Sequence, residues 1–199
     1  MENYRNAYVT MVIVALNVLM FIEGFFFGDD LTAFGALIAS RVINNQEFYR
    51  IVTAMFLHAG PQHIMSNMLM LVVVGCIIEN YMGHALYAIM YMSCGIIGNV
   101  SSIAYETLKG LTWISVGASG AIMGVVGYMV IWFAVNRQMF KKNKSLLIRL
   151  ICLAIFLIEA CFFQTGANTV AHLGGLLTGM VFGLVNIVGF KNIKDMEGI

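Results

Sequence analysis

The chain has 199 residues, of which 60% are hydrophobic and 11% are charged, and its formal net charge is +1. Soluble domains carry about 25% charged residues, so this composition excludes a soluble globular protein and makes the lipid bilayer the solvent for much of the chain. The small net charge, without a basic cluster interleaved with aromatic residues, argues against a nucleic-acid partner. The four cysteines stand singly in apolar runs and are expected to be buried rather than paired or metal-bound: Cys76, Cys94, Cys152 and Cys161.

Six apolar runs each approach the ~20 residues that span a bilayer as a helix. The first could instead be a signal peptide, but it is long for one and no A-x-A cleavage site follows closely. We therefore predict an all-α membrane protein, a six transmembrane helix bundle forming a single domain over residues 1–199. The predicted spans cover residues 7–27, 61–79, 84–104, 115–136, 146–163 and 169–190, with a polar loop at Tyr105, Glu106 and Lys109.

Residues 28–60, between the first two runs, mix charges with aromatic and aliphatic side chains. The segment is longer than a plain connection needs, and its apolar content suggests partial burial at the membrane interface. We therefore expect a partly membrane-embedded loop between helices 1 and 2. Tyr49 and Arg50 combine a ring with a base, which suits anchoring at the level of the headgroups.

The basic residues predict the orientation. With six spans both termini lie on one side, and the other side holds only Arg41, Arg50 and Lys109 of the 11 lysines and arginines. The positive-inside rule then places both termini in the cytoplasm, and we expect the plasma (inner) membrane. The beginnings of the second, fourth and sixth spans would face outward.

Ser119 stands in the sequence Gly117-Ala118-Ser119-Gly120 at the head of a run without charge. The flanking glycines let another backbone come close to the hydroxyl, while Gly120 and Gly124 form a small-residue seam for a neighbouring helix. Taken alone, the serine could be one more small residue of that seam, because G-x-S-G is a weak pattern.

His172 lies a few residues into the sixth span and shares a helix face with Gly175, Gly179 and Gly183. Docking this face on the seam below Ser119 would bring the imidazole within reach of the hydroxyl, as a Ser–His dyad requires. The alternative is a structural hydrogen bond between helices, since an unpaired histidine is costly in lipid. The glycine-framed serine at the same depth favours catalysis.

His63 and Asn67 are four residues apart and share a face of the second span. Both can donate hydrogen bonds and neither has an acid nearby, so they suit a developing oxyanion; the alternative is polar contact between helices. We expect no cofactor and no metal, because HExxH is absent and His58 and His63 are poorly spaced for a shared ion.

Together, Gly117-Ala118-Ser119-Gly120, His63-x-x-x-Asn67 and Ala171-His172-x-x-Gly175 resemble the rhomboid family of intramembrane serine proteases. The similarity runs from Tyr49-Arg50 to Gly183. It implies that Ser119 is the nucleophile and His172 the general base, without a third acidic member.

The resemblance also implies an oxyanion hole from His63, Asn67 and the Ser119 N–H, with His58 supporting this region and Glu79 tying down a loop. One residue departs from the pattern. Met123 stands where many members carry a tyrosine stacked on the histidine.

The expected function is proteolysis of transmembrane protein substrates near the outer membrane face, through an acyl-enzyme. Two alternatives stay open: a catalytically silent relative that binds membrane proteins, and a small transporter using Glu159 and the histidines. The intact Ser119 and His172 count against the first, and the lack of an inverted repeat counts against the second.

Overall fold

The computed structural model describes residues 6–27, 29–137 and 166–191, together with residues 148, 151 and 155. The predicted fifth span and Glu159 lie outside the described residues, apart from those three single positions. The helices are α1 Tyr8–Phe27, α2 Asp29–Gly35, α3 Ala39–Asn44, α4 Arg50–Thr53, α5 Pro61–Met70, α6 Cys76–Met82, α7 His84–Lys109, α8 Ser119–Val135 and α9 Thr169–Gly183. A 3₁₀ turn at Ala54–Phe56 follows α4, and π-helical turns at Leu71–Gly75 and Leu184–Gly189 follow α5 and α9.

Three helical stretches are long and apolar enough to cross a membrane, namely Pro61–Met82, His84–Lys109 and Thr169–Gly189. Two shorter apolar helices, Tyr8–Gly24 and Ser119–Val135, coincide with the predicted first and fourth spans. A helix needs about 20 apolar residues to span the hydrocarbon core. The chain is therefore an integral membrane protein with helical spans, while the number of six stays a prediction.

The helix of the fourth span begins at Ser119 and not at Ser115, where the predicted span starts. The backbone of Ser115 instead forms an isolated antiparallel bridge with Leu37, accepting and donating one hydrogen bond at 2.9 and 3.0 Å. Gly117 donates its N–H to the Ala54 carbonyl and has a φ of 136°, a conformation that favours glycine. Hydrogen bonds from Ser115 and Gly117 to the segment of residues 28–60 therefore hold the chain before Ser119 in a non-helical path.

The third span continues as a helix to Lys109, so the polar loop predicted at Tyr105, Glu106 and Lys109 is wrong. Gly110 ends the helix with a φ of 63°, as glycine commonly does. Glu106 is only 1% exposed, and its carboxylate accepts hydrogen bonds from Ser102 and from the N–H of Trp113. A buried acid with these partners is tolerated inside a helix.

The loop of residues 28–60 contains the three short helices α2, α3 and α4. Arg50 is 3% exposed, donates to the carbonyls of Ala33 and Ala36 at 2.9 Å, and pairs with Glu47. The pairing with Arg50 lowers the pKa of the Glu47 carboxyl. Arg50 therefore holds the turns of the loop together, and the headgroup anchoring predicted for it is wrong.

The helices α8 and α9 are in close contact at the centre of the molecule, with α7 beside them. A Cβ atom at Gly175 would overlap the carbonyl oxygen of Gly120, and one at Gly179 would overlap that of Gly124. The two small-residue faces predicted from the sequence thus pack backbone against backbone.

Glu79, near the end of α6, is fully buried. Its carboxylate accepts hydrogen bonds from the N–H groups of Val9 and Thr10 at 2.9 and 2.7 Å and from the Thr10 hydroxyl at 2.6 Å. It also lies 2.6 Å from Nδ1 of His84. The first N–H groups of a helix lack intrahelical partners, so Glu79 satisfies the start of α1.

Candidate active site

Ser119 and His172 lie in contact, with 2.7 Å between the serine Oγ and the histidine Nε2. Ser119 is the first residue of α8, and His172 lies in the first turn of α9. The imidazole is only 4% exposed. The structure therefore brings together the hydroxyl and the ring nitrogen that the sequence pattern pairs.

The contact between α8 and α9 explains this proximity. The helices touch through Gly120 and Gly175, which lie one and three residues after Ser119 and His172. The start of α9 is fixed by Asn168, whose side-chain oxygen accepts a hydrogen bond from the Ala171 N–H at 3.0 Å. The close approach leaves the first turns of both helices side by side.

Gly117 leaves room for the ring of His63 against the segment that leads to Ser119. A Cβ atom built on Gly117 would lie 2.9 Å from Cε1 and 3.0 Å from Nε2 of His63, and 3.6 Å from the Ser119 Oγ. The N–H of Ala59 points at Nδ1 of His63 over 3.5 Å. A donor at Nδ1 favours the tautomer with its proton on Nε2, the nitrogen that would lie 3.0 Å from a Cβ atom at Gly117.

Asn67 lies one turn after His63 on α5 and is 6% exposed. Its amide nitrogen is buried and has no hydrogen-bond partner among the described residues. Buried polar atoms are nearly always paired, so an unpaired donor needs an explanation. This donor borders the same cavity as Ser119 and His63, where a group of a bound molecule could accept its proton.

The backbone of Ser119 offers a further donor. Because Ser119 opens α8, its N–H has no acceptor within the helix. The aligned peptide dipoles place partial positive charge at such a helix start, which favours an anion there. The three residues of the predicted oxyanion group, two on α5 and one on α8, line the same cavity.

His58 lies in the loop before α5, and its ring contacts the ring of His63 edge-on with 5.1 Å between centroids. Burial, and to a lesser extent the neighbouring His63, lower the pKa of His58 to about 3, although the Phe56 backbone acts in the opposite direction. His58 is therefore neutral near pH 7 and packs against His63 without adding a charge.

A cavity of about 590 Å³ is lined by His63, Asn67, Ser119 and His172. Its walls come from the start of α5, the segment before α8, and the start of α9. Among the described residues, no three His, Cys, Asp or Glu side chains lie together as possible metal ligands. The cavity therefore gives a bound group access to the Ser119 hydroxyl, the His172 imidazole and the side chains of His63 and Asn67.

Asn168 is a site residue that sequence reasoning missed. Its position directly before an apolar helix, where asparagine is a favoured cap, is the signal that could have found it. Its partners Ser102 and Ser115 carry no recognisable motif, and neither does Glu106, which accepts the Ser102 hydroxyl.

The profile of the rhomboid domain matches residues 45–188, which is more than half of the chain. The matched region contains α4 to α9 and all the side chains described above. The chain belongs to the rhomboid family.

Three curated proteins illustrate the similarity. RHOMBOID-like protein 1 of Arabidopsis thaliana is 33% identical over 79% of this chain and 39% of its own length. RHOMBOID-like protein 6, mitochondrial, of Arabidopsis thaliana is 35% identical over 78% of the chain and 49% of its own length. Rhomboid protease GluP of Bacillus subtilis is 31% identical over 85% of the chain and 33% of its own length. The chain thus spans less than half the length of these relatives.

Proposed function

We propose that this protein is an intramembrane serine protease that cleaves transmembrane proteins near the outer face of the membrane. The observation that carries the proposal is the 2.7 Å contact between Ser119 Oγ and His172 Nε2 at the wall of the cavity. Membership of the rhomboid family supports it, as does the similarity to a protein named as a rhomboid protease.

In the acylation step, Ser119 Oγ attacks the carbonyl carbon of the scissile peptide bond while its proton passes to Nε2 of His172. The tetrahedral intermediate then collapses, the C–N bond breaks, and His172 returns the proton to the leaving amine. The amine departs as one product, and the other part of the substrate stays as an ester on Ser119.

In the deacylation step, water enters from the cavity and gives a proton to His172 as its oxygen attacks the ester carbon. The bond to Ser119 Oγ breaks, and His172 gives the proton back to the serine. In both steps the negative charge on the carbonyl oxygen would be stabilised by the Nε2–H of His63, the amide of Asn67 and the N–H of Ser119.

The proposal includes a single domain of six spans with both termini in the cytoplasm of a plasma-membrane protein. In that orientation the start of α5, α8 and α9 faces outward, where water is available for deacylation. A substrate helix would have to unwind locally, because a helical carbonyl is engaged in the backbone ladder.

The test uses purified protein reconstituted in liposomes with a single-span peptide substrate. We expect wild-type protein to cleave the peptide and to react with a fluorophosphonate at Ser119, as located by mass spectrometry. Ser119→Ala should abolish both while the protein stays folded, because the hydroxyl is the bond-forming atom.

Ser101→Ala is the matched control, since Ser101 donates its hydroxyl to the Ile97 carbonyl of its own helix. This variant should cleave like the wild type. Cleavage by Ser119→Ala at the wild-type rate would refute the serine-protease proposal. A folded wild type that binds the peptide without cutting it would favour the catalytically silent alternative.

A further inference from the structure

Asn168 connects three parts of the molecule with one side chain. Its oxygen accepts the N–H of Ala171 at 3.0 Å, which is the cap of α9. Its amide nitrogen donates to Ser102 on α7 at 2.7 Å and to Ser115, in the segment before α8, at 2.9 Å. The side chain thus joins the helix that carries His172 to the segment that leads into Ser119.

Ser115 is held from two sides at this point. Its backbone pairs with Leu37 through two hydrogen bonds, and its hydroxyl accepts from Asn168. It lies four residues before Ser119, and Gly117 between them is bound to the carbonyl of Ala54. The path of the chain into the nucleophile is therefore defined by hydrogen bonds rather than by helix geometry.

The other end of the connection is fixed by a buried acid. Ser102 donates its hydroxyl to Glu106 at 2.9 Å, and Glu106 accepts the N–H of Trp113 at 3.2 Å. Because the hydroxyl proton of Ser102 goes to Glu106, the lone pairs of Ser102 face Asn168. The amide of Asn168 supplies the matching donor, and an acceptor in its place would leave them unpaired.

We propose that Asn168 is a positioning residue, which sets Ser119 against His172 by donating its amide hydrogens to Ser102 and Ser115. The proposal rests on the proposed function, since positioning matters for a reaction between the two residues. A helix cap needs only the side-chain oxygen, so the two donated hydrogen bonds are the part that a simple cap leaves unexplained.

Three variants separate the cap from the connection. Asn168→Asp and Asn168→Ser both keep an oxygen that can cap α9. Neither presents the two amide hydrogens, and the aspartate would direct a lone pair at Ser102. Asn168→Ala removes the cap as well. Asn136→Asp is the matched control, because Asn136 has the same side chain at the far end of α8 and, among the described residues, donates to the Trp132 carbonyl of its own helix.

The first measurement is the rate at which a fluorophosphonate labels Ser119, together with kcat and KM for a reconstituted peptide substrate. We expect Asn168→Asp and Asn168→Ser to lower the labelling rate and kcat by up to about 10²-fold, the scale of a misplaced reacting group. KM should change little, and Asn136→Asp should behave as the wild type. A role as cap alone predicts loss in Asn168→Ala only.

The second measurement is amide hydrogen exchange over residues 111–118, which needs no activity. The N–H groups of Ser115 and Gly117 are bonded to Leu37 and Ala54, and they should exchange faster in Asn168→Asp. If neither labelling nor exchange changes in this variant, the positioning role is refuted. If the wild type fails to label and to cleave, the proposed function fails, and the exchange measurement still decides the role of Asn168.

If the variants at position 168 fail to fold, Ser115→Ala tests the positioning role of Asn168 instead. It removes only the hydroxyl that accepts from Asn168. We expect lower kcat and faster exchange at Gly117, and wild-type values for both would overturn the proposal.

Discussion

Gly175 of α9 packs directly on the backbone carbonyl of Gly120 in α8, so that no side chain separates the two helices. We expect Gly175→Ala to weaken folding by about 1–3 kcal/mol, the usual cost of overpacking. It should also slow the labelling of Ser119, because the helices must move apart to make room. Thermal unfolding in detergent and fluorophosphonate labelling measure the two effects.

Gly189→Ala is the control for this substitution, since the nearest atom to an added Cβ there lies 3.9 Å away. It should leave labelling unchanged. Equal behaviour of the two variants would mean that the contact of Gly175 with Gly120 does not set the distance between the helices.

Asn67→Ala should lower turnover by about 10²–10³-fold, as the loss of one oxyanion donor does. The melting temperature should barely move, since the amide nitrogen has no partner among the described residues whose loss would destabilise the fold. His63→Ala should act similarly with a larger effect on stability, because the ring also packs on His58. A variant that melts early but cuts normally once folded would assign that residue to packing.

Glu79→Ala should lower the free energy of unfolding, because it leaves the N–H groups of Val9 and Thr10 without their acceptor. A buried donor left unpaired costs about 1–3 kcal/mol. The molecules that remain folded should label at Ser119 at the normal rate, since Glu79 lies at the other end of the second span from His63. Glu23→Ala removes an exposed carboxylate from α1 and should leave stability unchanged in the same unfolding assay.

The stability of the protein should fall in acid partly because of His58. Its pKa is lowered from the ordinary 6.5 to about 3 by burial, so between these values the unfolded chain takes up a proton that the folded chain does not. The stabilisation that the folded protein gains from a neutral His58 is fully present above pH 6.5 and is lost as the pH falls toward 3. In thermal unfolding between pH 8 and pH 4, His58→Gln should lose less stability than the wild type. If the melting temperatures of the two proteins fell equally with pH, His58 would not contribute to the loss of stability in acid.

A reporter fused after Ile199 should be active in the cytoplasm. With six spans, eight basic residues lie on the side of the termini and three on the other, and the positive-inside rule then predicts this orientation. Protease protection of the same fusion in sealed vesicles gives an independent measurement. A reporter on the outer side would require an odd number of spans and would place the cavity away from the proposed face.

The proximity of Ser119 and His172 could be predicted because small residues repeat at helical spacing below both. The repeated small residues determine which faces of α8 and α9 pack together. That packing brings Ser119 and His172 to the same level along the two helices. The starts of the second, third and sixth spans were predictable for similar reasons, since Pro61, His84 and Thr169 each open an apolar run and a helix.

The connection through Asn168 could not be predicted, because its partners come from three parts of the chain and none has a periodic pattern. Glu106 misled the prediction, since an acid near the end of an apolar run suggests a solvated loop. Its partners, Ser102 and Trp113, are identifiable only once the chain has folded. Arg50 misled it similarly, because its partners are backbone carbonyls.

The bridge between Leu37 and Ser115 has a consequence for how the protein is made. The path into Ser119, the proposed nucleophile, depends on a segment synthesised early, and the proposed base, His172, follows 53 residues later. A nascent chain that has inserted α8 but not α9 therefore has its hydroxyl without a proton acceptor. Under the proposed function, the protein would be inert toward neighbouring membrane proteins throughout its own biosynthesis, and would become reactive only when α9 enters the bundle.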